Sequence, residues 1–415
     1  MKAAKDRGEP VSLMEPLLIG DGSRHRGALT DLALDLAQKS TGLRRSLPES
    51  LLASLADLVR AMNCYYSNLI EGHDTHPVDI ERALKNDYSK NAHKRDLQLE
   101  AKAHIAVQKW IDGGGLRRRA ATSDGIREVH RRFCELLPED LLWVEDPQTK
   151  DRVRVVPGEL RGKDVKVGAH IAISSGAMPR FLERFEEIYN HLGKTDSILG
   201  AAAAHHRLVW IHPFVDGNGR VSRLMSHAML LETLDTGAVW SVARGLARNV
   251  DAYKGHLAAC DDTRHNDLDG RGNLSEEALA SFTDFFLRTC IDQVEFMEGL
   301  MQPDRLRARI LVWAEEEIRI GTLPPKSGSI LEAVLYRGEL PRADAAGVVG
   351  VGERHARRIV SALIARGVLA WESSRAPLRL VFPAGLASRW MPGLFPENEV
   401  QAGSPHRRAP QDGSL

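Results

Sequence analysis

The chain has 415 residues, which leaves room for two or three domains with sizeable cores. Hydrophobic residues make up 43% and charged residues 27%, the balance of an ordinary soluble globular protein, so disordered, collagen-like and coiled-coil classes are excluded. The 56 basic and 56 acidic side chains cancel, so a nucleic-acid or membrane partner would have to meet a local patch.

The four cysteines lie far apart in the sequence, and none of them belongs to a CxxC pair: Cys64, Cys134, Cys260 and Cys290. This spacing does not fit a zinc site or a disulfide framework, and it predicts reduced thiols in the core of a cytoplasmic protein. No signal-like apolar segment follows Met1, and no 18 consecutive residues are apolar. We therefore expect no membrane partner.

The first two thirds of the chain divide into three predicted regions. Residues 1–30 are polar and Gly-rich and predict a flexible N-terminal arm. Residues 31–115 and 116–300 repeat apolar side chains every third or fourth position, which predicts an N-terminal helical region followed by a helical core. Inside the core, two short β-branched runs at 152–156 and 163–173, separated by glycines, predict one small hairpin.

The last third has a different pattern. Residues 301–328 are predicted to form a connecting helix and a linker that ends in a Gly/Pro cluster. Residues 329–390 predict three helices followed by two short strands, at 368–372 and 378–382, which is the order of a winged-helix domain. The Pro-, Gly- and Arg-rich residues 391–415 predict a disordered tail. The fold class is therefore mainly α.

The strongest chemical signal is HPFVDGNGRVSR, residues 212–223, between two helical stretches. A Gly-Asn-Gly turn that opens a helix directs backbone N–H groups and the positive end of the helix dipole at one point, which favours phosphate. Arg220 and Arg223 share a helix face and can bind neighbouring phosphate oxygens. Asp216 can hold Mg²⁺, and His212 can take a proton near neutral pH. The segment thus predicts a phosphoryl or nucleotidyl transfer site.

This segment resembles the full signature of Fic domain proteins, HPFx(D/E)GNGRxxR, and departs from it at no position. The resemblance extends over about residues 30–300. It implies a Fic-type helical core with a small β-hairpin flap, followed in this chain by the predicted winged helix. It also implies a protein adenylyltransferase that transfers AMP from ATP to a Ser, Thr or Tyr hydroxyl of a target protein.

The resemblance implies a role for each matching position. His212 becomes the general base and Asp216 the Mg²⁺ ligand, while Arg220 and Arg223 clamp the β- and γ-phosphates. Glycine at 219, where the kinase-like branch has lysine, favours AMP transfer, but the signature does not read the base, so UMP transfer stays open. The implied ATP-binding residues are Gly217, Asn218, Gly219, Arg220, Arg223, Asn249 and Tyr253, the last two as adenine contacts. The implied flap residues, which would add a strand to the target chain, are Val165, Lys166 and Val167.

A second motif lies upstream. The segment SNLIEG, from Ser67 to Gly72, resembles the inhibitory motif (S/T)xxxE(G/N) of the family. The resemblance implies that the Glu71 carboxylate pairs with Arg223 and occupies the place of the γ-phosphate. The simpler interpretation is the last turn of a helix with Gly72 at its C-terminal cap, and both can be true.

The C-terminal region leaves the function of the chain more open. Residues 341–390 hold eight arginines against three carboxylates, and Arg354, Arg357 and Arg358 begin the predicted recognition helix. DNA binding through the winged helix and protein docking or a homodimer are equally open. The alternative to an autoinhibited adenylyltransferase is a nucleotide-sensing winged-helix transcriptional regulator. The expected partners are ATP and a target protein, which could be the protein itself.

Overall fold

The computed structural model of the protein describes residues 5–145, 150–371, 373 and 376–396. Most of these residues lie in helices, and the strands are two or three residues long. The mainly α fold class is confirmed.

The helices and strands up to residue 301 are α1 (Arg26–Ser46), α2 (Glu49–Ile70), α3 (Pro77–Leu84), α4 (Ala92–Asp112), α5 (Ser123–Glu135), β1 (Trp143–Glu145), β2 (Arg152–Arg154), β3 (Lys166–Val167), β4 (His170–Ile171), α6 (Met178–Tyr189), α7 (Lys194–Ile211), α8 (Asn218–Leu234), α9 (Ala243–Arg248), α10 (Val250–Ala259) and α11 (Glu276–Met301). The later ones are α12 (Pro303–Arg319), α13 (Ser327–Arg337), β5 (Glu339–Leu340), α14 (Ala345–Val349), α15 (Glu353–Ala365), β6 (Leu369–Ala370), β7 (Leu378–Leu380) and α16 (Ala387–Trp390).

Helices α7 and α8 form the centre of the fold. Both are buried on almost every side, and four consecutive alanines, residues 201–204, let neighbouring helices pack closely against α7. The segment 212–217 connects these two helices. The candidate site therefore begins in a short loop held between two buried core helices.

Side-chain caps set the start of several helices around this centre. The Thr122 hydroxyl accepts the N–H of Gly125 at the start of α5, and the Ser275 hydroxyl accepts the N–H of Ala278 at the start of α11, at 2.9 and 3.0 Å. Each cap satisfies a backbone donor that the first helical turn leaves without an internal partner.

The β-structure of the core differs from the single predicted hairpin. The first β-branched run pairs backwards, β2 with β1, with Val153 opposite Val144. The second run forms its own hairpin, β3 with β4, with Val167 opposite His170. Two separate antiparallel pairs result because each run pairs with the strand next to it in the sequence.

Residues 5–30 also differ from the predicted flexible arm. A short 3₁₀ helix spans Val11–Met14, and Met14, Leu17 and Ile19 are buried. The Glu9 carboxylate accepts hydrogen bonds from the backbone N–H and hydroxyl of Ser174, at 2.9 and 2.6 Å. Burial of the apolar side chains in this segment explains why it packs against the core. Residues 1–4 lie outside the described residues.

The C-terminal module begins at α13. A three-stranded sheet in the order β5-β7-β6 packs with α13, α14 and α15. The three predicted helices and two strands are present, although β6 is shorter than expected and Glu372 and Arg375 lie outside the described residues. Strand β5 was not predicted from the sequence. The winged-helix assignment itself stays a prediction.

The start of the predicted tail is part of the core. Met391 and Leu394 are fully buried, and Phe395 packs edge-on against Tyr65 of α2, with ring centroids 5.7 Å apart. Arg244 donates to the Gly393 carbonyl at 2.9 and 3.2 Å. The disordered-tail prediction is therefore wrong for residues 391–396, where apolar side chains find a buried site. Residues 397–415 lie outside the described residues.

The cysteines and the helices bear on two expectations for the whole chain. The four cysteines are buried and unpaired, as the spacing predicts. Among the described helices, none has both the length and the apolar character needed to cross a bilayer.

Candidate active site

The loop between α7 and α8 has the local geometry of an anion cradle. His212 ends α7 in a left-handed conformation, with φ 50°, and Gly217 precedes α8 with φ 82°. The Asn218 side chain closes the loop by accepting the N–H of Phe214 and donating to its carbonyl, both at 2.9 Å. This closure leaves the first-turn N–H groups of α8 to face one point, where an anion is favoured.

His212 is held as a neutral base. Its Nδ1 is buried, so an incoming hydroxyl could reach only Nε2. Burial, together with the nearby Arg161 guanidinium, lowers the pKa of His212 to about 4. The imidazole is therefore uncharged at neutral pH.

Arg161 connects the flap to this loop. The buried guanidinium donates to the carbonyls of His212, Lys163 and Ile173 at 2.7, 2.7 and 2.6 Å. Burial lowers its pKa to about 10. Since Lys163 and Ile173 flank the β3–β4 hairpin, one side chain ties both ends of the flap to the backbone of His212.

His130 supports the loop from the other side. Its ring stacks on Phe214 with a centroid separation of 3.9 Å and an interplanar angle of 2°. Its Nδ1 accepts the N–H of Gly158 at 2.9 Å. Sequence reasoning missed His130 and the role of Arg161, because only the folded chain brings them to residues 212–214. No motif described in the sequence singles out either residue.

Asp216 and Arg220 form an ion pair at the entrance of the loop. Asp216 Oδ2 lies 2.8 Å from an Arg220 nitrogen, and the Asp216 side chain is 52% exposed. Arg220 is buried, lies over the Phe133 ring and approaches Glu100 at 3.6 Å. The carboxylate is thus accessible, whereas the arginine is fixed by its surroundings.

Glu71 and Arg223 meet across the interface of α2 and α8. Glu71 Oε1 lies 2.5 Å from an Arg223 nitrogen, and Arg223 also donates to the hydroxyl and the carbonyl of Ser67, at 2.9 and 3.2 Å. Burial alone would raise the pKa of Glu71, but the guanidinium groups of Arg223 and Arg220 lower it below its usual value. The carboxylate therefore stays ionised.

The same carboxylate lies against the first turn of α8. A Cβ atom at Gly219 would collide with Glu71 Oε1. The absence of a side chain at residue 219 therefore leaves room for the Glu71 carboxylate against this turn. Gly72, with φ 84°, ends that helix, so the cap interpretation of this motif describes the local backbone as well.

The flap residues lie on the β3–β4 hairpin and beside it. Lys166 and Val167 form β3, and Val165 precedes it, its carbonyl accepting the N–H of Ala172 at 3.2 Å. The exposed Ile171 lies opposite Lys166. The hairpin has two strands in the described residues, and its pairing with a target chain stays a prediction.

The two predicted adenine contacts lie one turn apart at the start of α10, where the Tyr253 N–H donates to the Asn249 carbonyl at 2.9 Å, but they differ in exposure. Asn249 is exposed and lines a surface cleft of about 580 Å³ together with His256 and Phe285. Tyr253 is 2% exposed, and its hydroxyl lies 2.7 Å from His205 Nε2. The ring of Tyr253 packs inside the core, and the adenine role of both residues stays a prediction.

Comparison with known proteins agrees with the sequence motif. Residues 121–230 match the model of the Fic/DOC family. The protein adenylyltransferase Fic of Drosophila melanogaster is 30% identical over 202 residues, covering 48% of this chain and 36% of that protein. The protein of the same name from Drosophila virilis is 31% identical over 169 residues, covering 40% of this chain and 32% of the relative. The matched part thus spans about a third of these relatives.

Two solved structures are also similar. A Fic family protein from Desulfovibrio desulfuricans G20 has a TM-score of 0.48 at 15% identity, covering 84% of this chain and 96% of the other. A Fic domain containing signaling protein from Bacteroides thetaiotaomicron has a TM-score of 0.45 at 20% identity, covering 64% and 95%. The family match and the named relatives, together with the unbroken signature at residues 212–223, show that the chain contains a Fic domain.

Proposed function

We propose that this protein transfers AMP from ATP to a Ser, Thr or Tyr hydroxyl of a target protein, and that Glu71 holds it inhibited. The observation that carries the proposal is the Glu71 carboxylate, an oxyanion bound between Arg223 and the first turn of α8. A loop that holds one oxyanion with a guanidinium and a helix N-terminus has the chemistry to hold phosphate oxygens. The names of the Drosophila relatives support nucleotidyl transfer.

In the proposed reaction the target hydroxyl attacks ATP directly, and no side chain of this protein forms a covalent bond to the nucleotide. The target oxygen forms a bond to the α-phosphorus, the bond from that phosphorus to the bridging oxygen breaks, and pyrophosphate leaves. The hydroxyl proton goes to Nε2 of His212, which is uncharged because its pKa lies near 4. Arg161 holds the backbone of this residue, so the flap that would carry the target is positioned relative to the base.

The phosphates are assigned to the N-terminus of α8. Its first-turn N–H groups and Arg220 would bind the α- and β-phosphates, and Arg223 would bind the γ-phosphate once Glu71 leaves. Both arginines are buried, so their charges are weakly screened and act strongly on phosphate.

Asp216 is the residue we assign to Mg²⁺. No group of three or more His, Cys, Asp or Glu side chains suited to a metal occurs in the described ranges. One accessible carboxylate beside a phosphate cradle fits Mg²⁺ well, because this ion usually takes one or two carboxylates and completes its shell with phosphate oxygens and water. When bound, the ion would neutralise negative charge on the triphosphate and on the departing pyrophosphate.

A nucleotide-sensing regulator is the competing function, and one observation favours it. Arg354, His355 and Arg358 are exposed on α15 of the C-terminal module, where a winged helix would contact DNA. A regulator of this kind needs no general base, whereas His212 is present in the loop and uncharged. We therefore rank transfer first.

Labelled nucleotides test the proposal. The full chain carrying Glu71→Gly is incubated with lysate and ATP labelled at the α- or the γ-phosphorus, with His212→Ala in the same background as control. Label from the α position alone, lost in His212→Ala, is expected. Label from the γ position would indicate phosphoryl transfer, and label only from α-labelled UTP would change the nucleotide. Absence of label together with a shift of DNA mobility would favour the regulator.

A further inference from the structure

Arg220 is held by two carboxylates that contact different nitrogens of its guanidinium. Asp216 Oδ2 lies 2.8 Å from Nη2, and Oε2 of Glu100, on α4, lies 3.6 Å from Nη1. The Nε of Arg220 is buried and has no hydrogen-bond partner among the described residues. The Phe133 ring covers one face of the guanidinium, with its centroid 4.7 Å from Cζ. The two carboxylates therefore set the direction in which the arginine points.

These two carboxylates differ in their access to solvent. The Asp216 side chain is 52% exposed, whereas that of Glu100 is 14% exposed. The proposed function assigns the more exposed one to Mg²⁺. A carboxylate that holds a divalent cation attracts a neighbouring guanidinium less strongly, because the charge of the ion opposes that of the arginine. Of the two contacts, the one with Glu100 is then left to direct Arg220.

His73 now shares the Glu100 oxygen that faces Arg220. Its Nδ1 donates to the same Oε2 at 2.8 Å, a shorter contact than the one from Arg220. His73 follows the last turn of α2, and its backbone N–H donates to the Asn68 carbonyl at 2.9 Å. Because Glu71 belongs to this turn, withdrawal of the turn would also carry His73 away from Glu100. Oε2 would then keep Arg220 as its partner.

We propose that Glu100 is a positioning residue for the transfer reaction: its carboxylate holds Nη1 of Arg220, so that Nη2 is directed at the phosphates once Asp216 binds Mg²⁺. The inference rests on the proposed function, which assigns Asp216 to the metal and Arg220 to the phosphates. It adds a residue of α4, which lies outside the segment 212–223. A largely buried carboxylate suits this role, because weak screening strengthens its attraction for the guanidinium.

A carboxylate near a triphosphate can also act in the opposite sense. Glu100 and the phosphates carry like charges, so without a positioning role its neutralisation would strengthen nucleotide binding, with or without metal. If Glu100 only supports the fold, its replacement would weaken binding equally in both conditions. The positioning role predicts a loss in Mg²⁺ alone, because Asp216 still holds Arg220 when metal is absent. The three roles thus differ in the sign or in the metal dependence of the effect.

Calorimetry with full-length Glu71→Gly, alone and combined with Glu100→Gln, separates these roles. The ligand is the α,β-methylene analogue of ATP, which resists transfer, and it is titrated once in Mg²⁺ and once in chelator. Glu100→Gln should weaken binding about tenfold in Mg²⁺, which corresponds to about 1.4 kcal/mol, and change it less than about twofold in chelator. Tighter binding in Mg²⁺, an equal loss in both conditions or unchanged affinity in Mg²⁺ would each overturn the inference.

Two further variants keep the test decisive. Glu317→Gln neutralises another carboxylate, one that is 9% exposed and lies 2.6 Å from Arg366, and should leave nucleotide affinity unchanged in both conditions. Glu100→Asp keeps the charge but shortens the side chain. It should give a smaller loss, again only in Mg²⁺, and it replaces Glu100→Gln if that variant does not fold. If Glu71→Gly alone does not bind the ATP analogue, the proposed function fails, and this inference fails with it. If Glu71→Gly binds and Glu100→Gln binds equally well in Mg²⁺, only the inference fails.

Discussion

Removal of the Glu71 carboxylate should activate the enzyme, and the structure sets the size of the effect. In Glu71→Gly, Arg223 keeps its two bonds to Ser67 but loses an ion pair of 2.5 Å. A charge-assisted hydrogen bond contributes about 1.5–3 kcal/mol, and partial exposure of Glu71 favours the lower end. Since a tenfold change corresponds to about 1.4 kcal/mol, modification should rise at least about tenfold and at most about a hundredfold.

The assay compares wild type, Glu71→Gly, Arg223→Ala and the double variant by AMP incorporated from labelled ATP. Arg223→Ala should be inactive in both backgrounds, because the side chain assigned to the γ-phosphate is then missing whether or not Glu71 is present. Asp57→Gly removes an exposed carboxylate and its contact with Arg60 from the same helix, and should leave activity unchanged. Unchanged activity in folded Glu71→Gly would reduce the SNLIEG motif to a helix end and refute autoinhibition, while the catalytic assignment would stand.

The other predictions concern the base, the metal ligand, pH and the C-terminal module. His212→Ala should lower transfer by about 10²–10⁴-fold and leave ATP affinity intact, since the imidazole acts on the hydroxyl; a matching loss of affinity would contradict this role. Asp216→Ala should lose rate and Mg²⁺ dependence together, and activity that persists in chelator would exclude Asp216 as the ligand. Burial lowers the pKa of His104 and His205 to about 3, so as pH falls below 6.5 the unfolded chain takes up protons before the folded chain does. The free energy of unfolding should therefore fall between pH 6.5 and about 4. A urea midpoint that stays constant over this range would refute the claim that these buried histidines are neutral. Trp390→Ala should lower the free energy of unfolding, measured in urea, by about 3–5 kcal/mol, because this fully buried ring packs on Trp313 of α12. A loss under about 1 kcal/mol would show that the C-terminal module does not pack as described.

The chemistry of the loop could be predicted from the sequence because it is local. Twelve consecutive residues, 212–223, carry the turn glycine, the helix start and the charged side chains, and a helix N-terminus binds anions wherever it lies. The main helices were predictable for a similar reason, since a 3.6-residue period is a property of neighbours in the chain. The segment 67–72 likewise predicted the end of α2 from its own residues.

The tertiary structure decided every feature that joins distant parts of the chain. Residue 71 lies 152 positions from Arg223, and only the packing of α2 on α8 makes them an ion pair. The same holds for the hydrogen bond from Arg161 to the His212 carbonyl and for the Tyr253 hydroxyl, which the family resemblance assigned to adenine and which lies against His205 in the core. Local pattern specifies which residues can carry charge or end a helix, but contacts between distant segments depend on how the whole core excludes water, so the partners of those residues appear only in the folded chain.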